Sequence, residues 1–368
     1  MFIQKLELKN FRNYDRLAID FRKPITILIG NNAQGKTSLI EGIYALSTTK
    51  SHRTAKPNQM IRFEQDFAKV EAVVAVDDDE FELSLVLAKK GKTAKYNGVS
   101  VQKLTNFVGK LKTVFFAPED LELIKGSPAG RRRFLDMDIG QIDSLYLYHL
   151  NVYNKLLKQR NELLKHFVES DMNQLQLEVL TTQLVEPLVY ILNKRQWFLR
   201  ELADHAKLVH HFITDGKEDI SFEYHNSTKV DSISAESLLQ RFESMYAVDK
   251  RTRTTNIGAH RDDFSVFLSG INAHDFASQG QQRTSILSMR LAEIDLIYQE
   301  TGIYPVLLLD DVLSELDENR QSKLLVCTNN KTQTFITTTS VSGIYQEILA
   351  SADVFVVDGG KIGDYDVE

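Results

Sequence analysis

The residues with the most specific chemistry in the chain are Gly30-Asn31-Asn32-Ala33-Gln34-Gly35-Lys36-Thr37, which read G-x-x-x-x-G-K-T. Glycines at these two positions let successive backbone N–H groups turn toward phosphate oxygens, while Lys36 reaches the β- and γ-phosphates and Thr37 offers a hydroxyl to Mg²⁺. The apolar run 25–29 precedes the loop, and apolar residues at 39, 40, 43 and 46 follow at helical spacing. Strand, Gly-rich loop and helix in that order give a phosphate site with a helix N-terminus behind it.

A second constellation lies far downstream. Val306-Leu307-Leu308-Leu309-Asp310-Asp311 is an apolar run ending in two carboxylates, the pattern of a buried parallel strand whose C-terminal end faces a ligand. Asp310 is expected to hold Mg²⁺ through its water shell and Asp311 to orient or deprotonate the attacking water. Lys36 and Asp311 are thus the expected catalytic pair, with Thr37 and Asp310 on the metal. Between the halves, Ser278-Gln279-Gly280-Gln281-Gln282-Arg283 opens a helix over 279–300, and Ser and Gly there suit a terminal phosphate. P-loop, helical insertion, Ser-x-Gly-Gln helix start, then Asp-Asp and Ser314-Glu315-Leu316-Asp317 is the order of an ABC-type ATPase head. ATP and Mg²⁺ are the expected ligands, with Gly30 through Thr37, Ser278, Gly280 and Gln281 as the nucleotide contacts.

Positioning these residues requires an α/β head, a P-loop mixed sheet plus an antiparallel β-meander, with a mainly helical second lobe. Strand alternation over 3–8, 68–76 and 81–87, with turn signals at Asp77–Asp79, Lys89–Lys92 and Asn97-Gly98, predicts the meander. Helical spacing takes over near Glu119, with stripes at Leu145, Tyr148, Val152, Leu156 and at Leu177–Leu192, where Pro187 is expected to kink or break the helix. Strands are expected near 219–224, 264–268, 304–309, 332–338 and 352–357, and helices near 235–246 and 319–329. The organisation read from this is 1–117 and 301–368 as the ATPase lobe, 118–250 as the helical lobe and 251–300 as a signature segment, with no disordered tail. A chain of 368 residues with 43% hydrophobic and 26% charged content is an ordinary globular one, and its net charge of -6 leaves any nucleic-acid contact to local patches. The single Cys327 forms no intrachain disulfide, and no apolar run approaches the ~20 residues of a membrane helix. The expectation is a cytoplasmic protein.

With these motifs in place, the chain resembles the RecF family of the SMC/ABC ATPase superfamily. Leu8-Lys9-Asn10-Phe11-Arg12-Asn13-Tyr14 is similar to that family's opening strand and turn. Pro118 through Pro128 running into Arg131-Arg132-Arg133-Phe134-Leu135-Asp136 is similar to its most distinctive block, and Gly258-Ala259-His260-Arg261-Asp262-Asp263 and Asp311 through Asp317 also match. The resemblance runs from residue 3 to about 320. It implies an ATP-dependent homodimer that binds single- and double-stranded or gapped DNA without reading sequence and promotes RecA loading together with RecO and RecR. Ser278 and Gly280 would act on the partner copy's nucleotide. Gln281 stands where transporter signatures have a second Gly, and Asp311 where transporters have Glu, which implies slow, switch-like hydrolysis. No Gln follows the 111–116 strand, no His follows the 332–338 strand, and Ala259 replaces the family's more frequent Pro.

Three basic clusters are the candidates for DNA contact. Arg131, Arg132 and Arg133 either fan over a helix to meet phosphates or pair with Glu119, Asp120 and Glu122. Lys89, Lys90, Lys92 and Lys95 crowd a hairpin tip, either as a solvated face or within reach of a duplex. Arg53, in the basic loop 50–56, faces either nucleotide or DNA. No recognition helix or zinc module is present, so phosphate contacts would dominate. Other classes weighed are an ABC subunit driving a transporter, a long SMC-type tether and a small-molecule kinase. These lack, in turn, a counterpart to the 118–136 block, a sufficiently long insertion, and a use for the Ser278 signature.

Overall fold

Strand alternation at one end of the chain and solid apolar runs at the other build two different sheets. The computed structural model describes residues 1–54, 56–328, 331–341, 344 and 346–364. The expectations for residues 55, 329 and 365–368 lie outside them. The chain forms two compact units, one of Met1–Leu121, His205–Glu218 and Arg283–Glu368, the other of Glu122–Asp204 and Asp219–Gln282. The segments expected as 118–250 and 251–300 are therefore divided differently. Residues 205–218 belong with the first unit because His210 Nδ1 bonds Ser288 Oγ at 2.9 Å and Lys323 Nζ reaches Asp215 at 2.6 Å.

The first unit opens with β1 (Phe2–Phe11), β2 (Tyr14–Asp20), β3 (Ile25–Ile29) and α1 (Lys36–Thr48). The meander follows as β4 (Phe67–Val76), β5 (Asp79–Ala88), β6 (Gly91–Tyr96) and β7 (Val99–Ser100), then β8 (Thr113–Phe116). One six-stranded antiparallel sheet has the order β2-β1-β4-β5-β6-β7. Asn97 and Gly98, both at positive φ, make the tight β6–β7 turn. On β4 the residues Ala68, Val70, Ala72 and Val74 are buried in strict alternation, and α1 packs against that face, where a Cβ on Gly42 would come within 2.9 Å of Leu8.

The second unit runs through α2 (Glu122–Lys125), α3 (Pro128–Ile142), α4 (Ser144–Lys165), α5 (Asp171–Ile213) as far as Asp204, β9 (Ile220–His225) and α6 (Ala235–Thr252). It continues with β10 (Asp263–Leu268), β11 (Ile271–Asn272), α7 (Ala273–Phe276) and the start of α8 (Gln279–Thr301), and β11-β10-β9 form a three-stranded sheet. Pro187 does not interrupt α5, which continues through it for 43 residues. By length and composition α5 also meets the requirement for crossing a membrane, with mean hydropathy 1.2 over its most apolar window. Glu178 and Glu186 interrupt the stretch, so it holds no unbroken apolar run of that length. Leu177, Leu184, Leu188, Ile191 and Leu192 are all buried, so its apolar stripe is spent on the protein core.

The first unit resumes with β12 (Val306–Asp310), α9 (Glu318–Thr328), β13 (Thr334–Thr338), α10 (Gln346–Ser351), β14 (Ala352–Asp358) and β15 (Lys361–Asp364). The second six-stranded sheet has the order β15-β14-β3-β13-β12-β8 and is parallel except for β15. Every residue of β8, β12 and β13 is buried, as in a sheet covered on both faces, with Thr113, Asp310, Thr334, Thr337 and Thr338 as its buried polar members. α1 contacts this sheet as well as the antiparallel one, and all of it except Thr37 is buried.

The block 258–263 organises the second unit. Gly258 has φ +119, and a Cβ there would stand 2.4 Å from the Tyr153 hydroxyl. The Ala259 carbonyl accepts Arg195 at 2.6 Å, and Asp262, fully buried, accepts Tyr224 Oη at 2.5 Å and Ser227 N at 2.9 Å. His260 Nε2 lies 3.0 Å from the Thr255 carbonyl, which can only accept, so Nδ1 accepts from Tyr153 Oη at 2.7 Å. Burial, reinforced by Arg261 and Arg132, pulls the imidazole pKa down to about 4. The unfolded value is ~6.5, so the stabilisation from a neutral His260 is complete above that pH and is lost as pH falls toward 4. Between pH 7 and pH 5 this group should cost about 2 kcal/mol of unfolding free energy. His260→Asn should flatten that part of a urea-denaturation pH profile, and an unchanged profile would remove His260 as its source.

Candidate functional site

β3 ends at Ile29 and the chain turns at once. Gly30 is required here because a Cβ would lie 2.2 Å from the Val357 carbonyl oxygen of β14. Gly35, at φ +126, is required because a Cβ would meet Asn13 Nδ2 at 2.7 Å and Tyr14 Oη at 3.0 Å. The β1–β2 turn braces the loop from that side, with Asn13 Nδ2 donating to Gln34 O at 2.8 Å and Tyr14 Oη to Gly35 O at 3.1 Å. On the other side Gly359 N and Gly360 N donate to the side chain and carbonyl of Gln34. The loop is therefore held in its phosphate-binding curve by protein contacts.

Parallel pairing brings the second constellation to the same edge. The register sets Thr338 opposite Ile29 and Asp310 opposite Thr337. Asp310 Oδ1 accepts hydrogen bonds from Thr37 Oγ1 at 2.9 Å and Thr337 Oγ1 at 2.6 Å. Burial raises its pKa, and the two hydroxyls oppose that shift. Asp311 N donates to Thr337 Oγ1 at 2.9 Å, and Asp311 adopts φ +54, in the left-handed region. Lys36 Nζ rests on the carbonyls of Gly30 and Asn31 at 2.5 and 2.9 Å. Burial lowers its pKa, against the attraction of Asp311 and Asp310.

Asn13, Asn32, Ala33, Gly35, Lys36, Thr37, Ser38, Arg53, Asp311 and Thr337 together line a hollow of about 270 Å³. Its lining combines one ammonium, one guanidinium, hydroxyls and P-loop residues with a single carboxylate, Asp311. That donor set fits a polyphosphate, and the Thr37–Asp310 contact marks oxygen ligands suited to a small hard cation. Arg53 lines this hollow beside the P-loop residues. Behind it, Ser51 Oγ accepts from the N–H groups of Arg53 and Thr54 at 3.0 and 3.1 Å and donates to Glu41. Glu41, wholly buried in α1, also takes both arms of Arg12 at 2.5 and 2.7 Å. Burial works to raise the Glu41 pKa, but the bonds from Arg12 and Ser51 outweigh it and leave it lowered. Asn13, Thr337, Glu41 and Arg12 were missed as site residues. The Asn10–Tyr14 segment was visible only as a family-like block, since its partners lie 20 to 50 positions away.

The signature residues sit in the second unit at the start of α8. Ser278 and Gln281 cap one another, Ser278 N donating to Gln281 Oε1 at 2.8 Å and Gln281 N to Ser278 Oγ at 3.3 Å. A Cβ on Gly280 would meet nothing within 4 Å. The arginine cluster is not the open patch that one alternative required. Arg131 is buried, grips Asp263 at 2.5 and 2.8 Å and donates to the Gly126 carbonyl at 2.8 Å. Its partner is therefore not Glu119, Asp120 or Glu122. Arg132 donates to the Asp262 carbonyl at 2.9 Å, and Arg133 is the exposed member. At the hairpin, Lys89 pairs with Asp66 at 2.8 Å, Lys90 is exposed, and Lys92 Nζ donates to the Thr49 carbonyl at 2.5 Å.

Comparison with known proteins agrees with this geometry. Residues 2–362 match the family described as RecF/RecN/SMC N terminal domain. The chain is 46% identical over 368 residues to the DNA replication and repair protein RecF of Shouchella clausii (strain KSM-K16), covering 98% of this chain and 99% of that one. It is 45% identical to RecF of Bacillus subtilis (strain 168), covering 98% and 100%. Among solved structures, the recombination mediator protein RecF-ATPrS in the RecFOR pathway superposes with TM-score 0.91 at 32% identity, covering 99% of this chain and 98% of that one. An Smc head domain from Pyrococcus furiosus shares the fold with TM-score 0.54 at 16% identity, over 99% and 96% of the two chains. With the P-loop, the Asp310–Asp311 strand end and near full-length identity in agreement, the chain belongs to the RecF family of SMC/ABC-type ATPase heads.

Proposed function

We propose that this protein is an ATP-gated DNA-binding protein of recombinational repair and replication. Its two copies close on ATP and hold gapped or duplex DNA for RecA loading with RecO and RecR. The observation carrying the reading is the convergence of Lys36, Thr37, Asp310 and Asp311 on one sheet edge, in a chain so similar to proteins named for DNA replication and repair. The setting implied is the cytoplasm.

The loop amides and Lys36 would bind the phosphates, with the ammonium turning from the carbonyls of Gly30 and Asn31 toward the incoming anion. Thr37 and Asp310 would hold Mg²⁺, which supplies charge neutralisation to the β- and γ-phosphates. Asp311 would receive the proton of the attacking water and Arg53 would neutralise phosphate charge at the rim. Ser278 and Gly280, with Gln281 shaping the helix start, would close on the partner copy's nucleotide, so that hydrolysis resets the dimer. Sizing of the protein with and without ATP and gapped DNA, together with DNA stimulation of ATP hydrolysis, tests the whole reading.

Lys36→Ala should weaken ATP binding roughly 10- to 100-fold, the worth of a charge-assisted contact, and abolish ATP-dependent dimerisation. Normal dimerisation by that variant would take Lys36 out of its role. Asp311→Asn should keep ATP affinity while slowing hydrolysis ~10²-fold or more, so that an ATP-bound dimer accumulates on a sizing column. Wild-type turnover would dismiss Asp311 as the base. Duplex affinity should be weak without nucleotide and tighter with ATP. Its logarithmic salt slope should steepen by ~0.9 for each added phosphate contact. Equal slopes in the two states would refute gating.

A further inference from the structure

We infer that Arg12, Glu41 and Ser51 are positioning residues for the nucleotide, which tie the segment after α1 to that helix so that Arg53 stays over the phosphate hollow. This rests on the reading of Arg53 as a phosphate contact and says what keeps it there. Glu41 lies four residues beyond Thr37, one turn further along the same face of α1. Thr37 lines the hollow, while Glu41 meets Ser51. Ser51 is 1% exposed and has a single hydroxyl proton to give. Glu41 is ionised beside Arg12 and only accepts, so that proton goes to Glu41 Oε1. The Ser51 oxygen is left to accept from the main-chain N–H groups of Arg53 at 3.0 Å and Thr54 at 3.1 Å. One hydroxyl thus fixes the main chain from which the Arg53 side chain departs and joins it to the helix that carries Lys36 and Thr37.

The same ion pair also holds the chain a few residues further on. Arg12 grips Glu41 with Nε and Nη2 at 2.7 and 2.5 Å, and its Nη1 donates to Gln59 O at 2.6 Å. The Arg12 main-chain N donates to Met60 O at 2.8 Å, and Arg62 N donates to Asn10 O at 2.8 Å. Arg12 adopts φ +53 in the β1–β2 turn, whose next residues, Asn13 and Tyr14, brace the P-loop at Gln34 and Gly35. The β1–β2 turn therefore sets the P-loop directly and, through Glu41, the segment that carries Arg53. A buried ion pair stabilises a fold little compared with apolar residues of the same size, so stability gives no reason for a carboxylate wholly buried in α1. What the pair supplies is the placement of Arg53. Burial raises the Asp310 pKa and the charge on Arg53 opposes that rise, so the guanidinium stands within electrostatic reach of the metal-side carboxylate.

The test is a double-mutant cycle in Mg-ATP binding by the full-length chain, read with a fluorescent ATP analogue. Arg53→Ala should weaken binding roughly tenfold, the worth of a charge-assisted contact. Ser51→Ala should weaken it several-fold, and the double variant should bind no more weakly than Arg53→Ala alone, because Ser51 acts only through Arg53. A general loosening of the fold would instead add its loss to that of Arg53→Ala. Should Ser51→Ala fail to fold, Arg12→Lys, which keeps the charge without the two-armed grip, should show the same non-additivity with Arg53→Ala. Additive losses, or wild-type affinity in the variant paired with Arg53→Ala, would overturn the positioning role while Arg53 kept its own. Wild-type affinity in Arg53→Ala would remove Arg53 from the phosphates and this role with it. A wild-type protein that binds no ATP would overturn the nucleotide reading itself.

Discussion

Asp310 carries a buried carboxylate whose one oxygen takes two hydroxyl hydrogen bonds, from Thr37 at the start of α1 and from Thr337 on β13. Leaving such a group unpaired costs several kcal/mol, so its position fixes those of its donors. Three segments separated by as many as 300 residues of sequence are thereby held in register at one sheet edge. The parallel pairing of β12, β13 and β3 supplies the frame, and the Gly30 contact with β14 leaves no room for the loop to drift. The loop backbone is in this sense set before any ligand arrives, and binding energy is not consumed in ordering it.

The second unit uses the same device with opposite charge. Arg195 and Arg160 are buried guanidiniums, and each gathers acceptors from different helices. Arg195 takes Asp136 at 2.8 Å and the Ala259 carbonyl, while Arg160 takes Asp249 at 2.8 Å and Thr255 at 2.7 Å. Each meets part of the 249–263 stretch, which explains a block that had no evident role in the sequence. Removing one partner of such a pair would strand a charge in the interior, a loss of about 3–5 kcal/mol. The stretch therefore supplies acceptors to both buried guanidiniums of its own unit.

What was legible in the sequence was local. The P-loop, the apolar run into Asp310 and Asp311, the β-meander and the helix start at Ser278 all declare themselves through spacing within about ten residues. What was not legible depends on distant partners. Arg131 looked like a surface cluster because Asp263 is 132 positions away, and Arg12 looked like turn chemistry because Glu41 lies in the next helix. The membership of residues 205–218 in the first unit rests on Ser288 and Lys323, which no periodicity reveals. Pro187 was read by its intrinsic preference, and the packed stripe on α5 overrode it. β15 was missed because two glycines and a polar four-residue stretch carry too little alternation to stand out.

The backbone of Asp311 sets which side chains that position can hold. A φ of +54 is uncommon for residues other than glycine, and among those residues Asp and Asn adopt it most readily. A longer acid such as Glu would enter this corner at a conformational cost of roughly 1–2 kcal/mol. The presence of the short acid is then explained by the turn that β12 makes as it leaves the sheet. Substituting a longer acid at this position would first require that corner to be rebuilt.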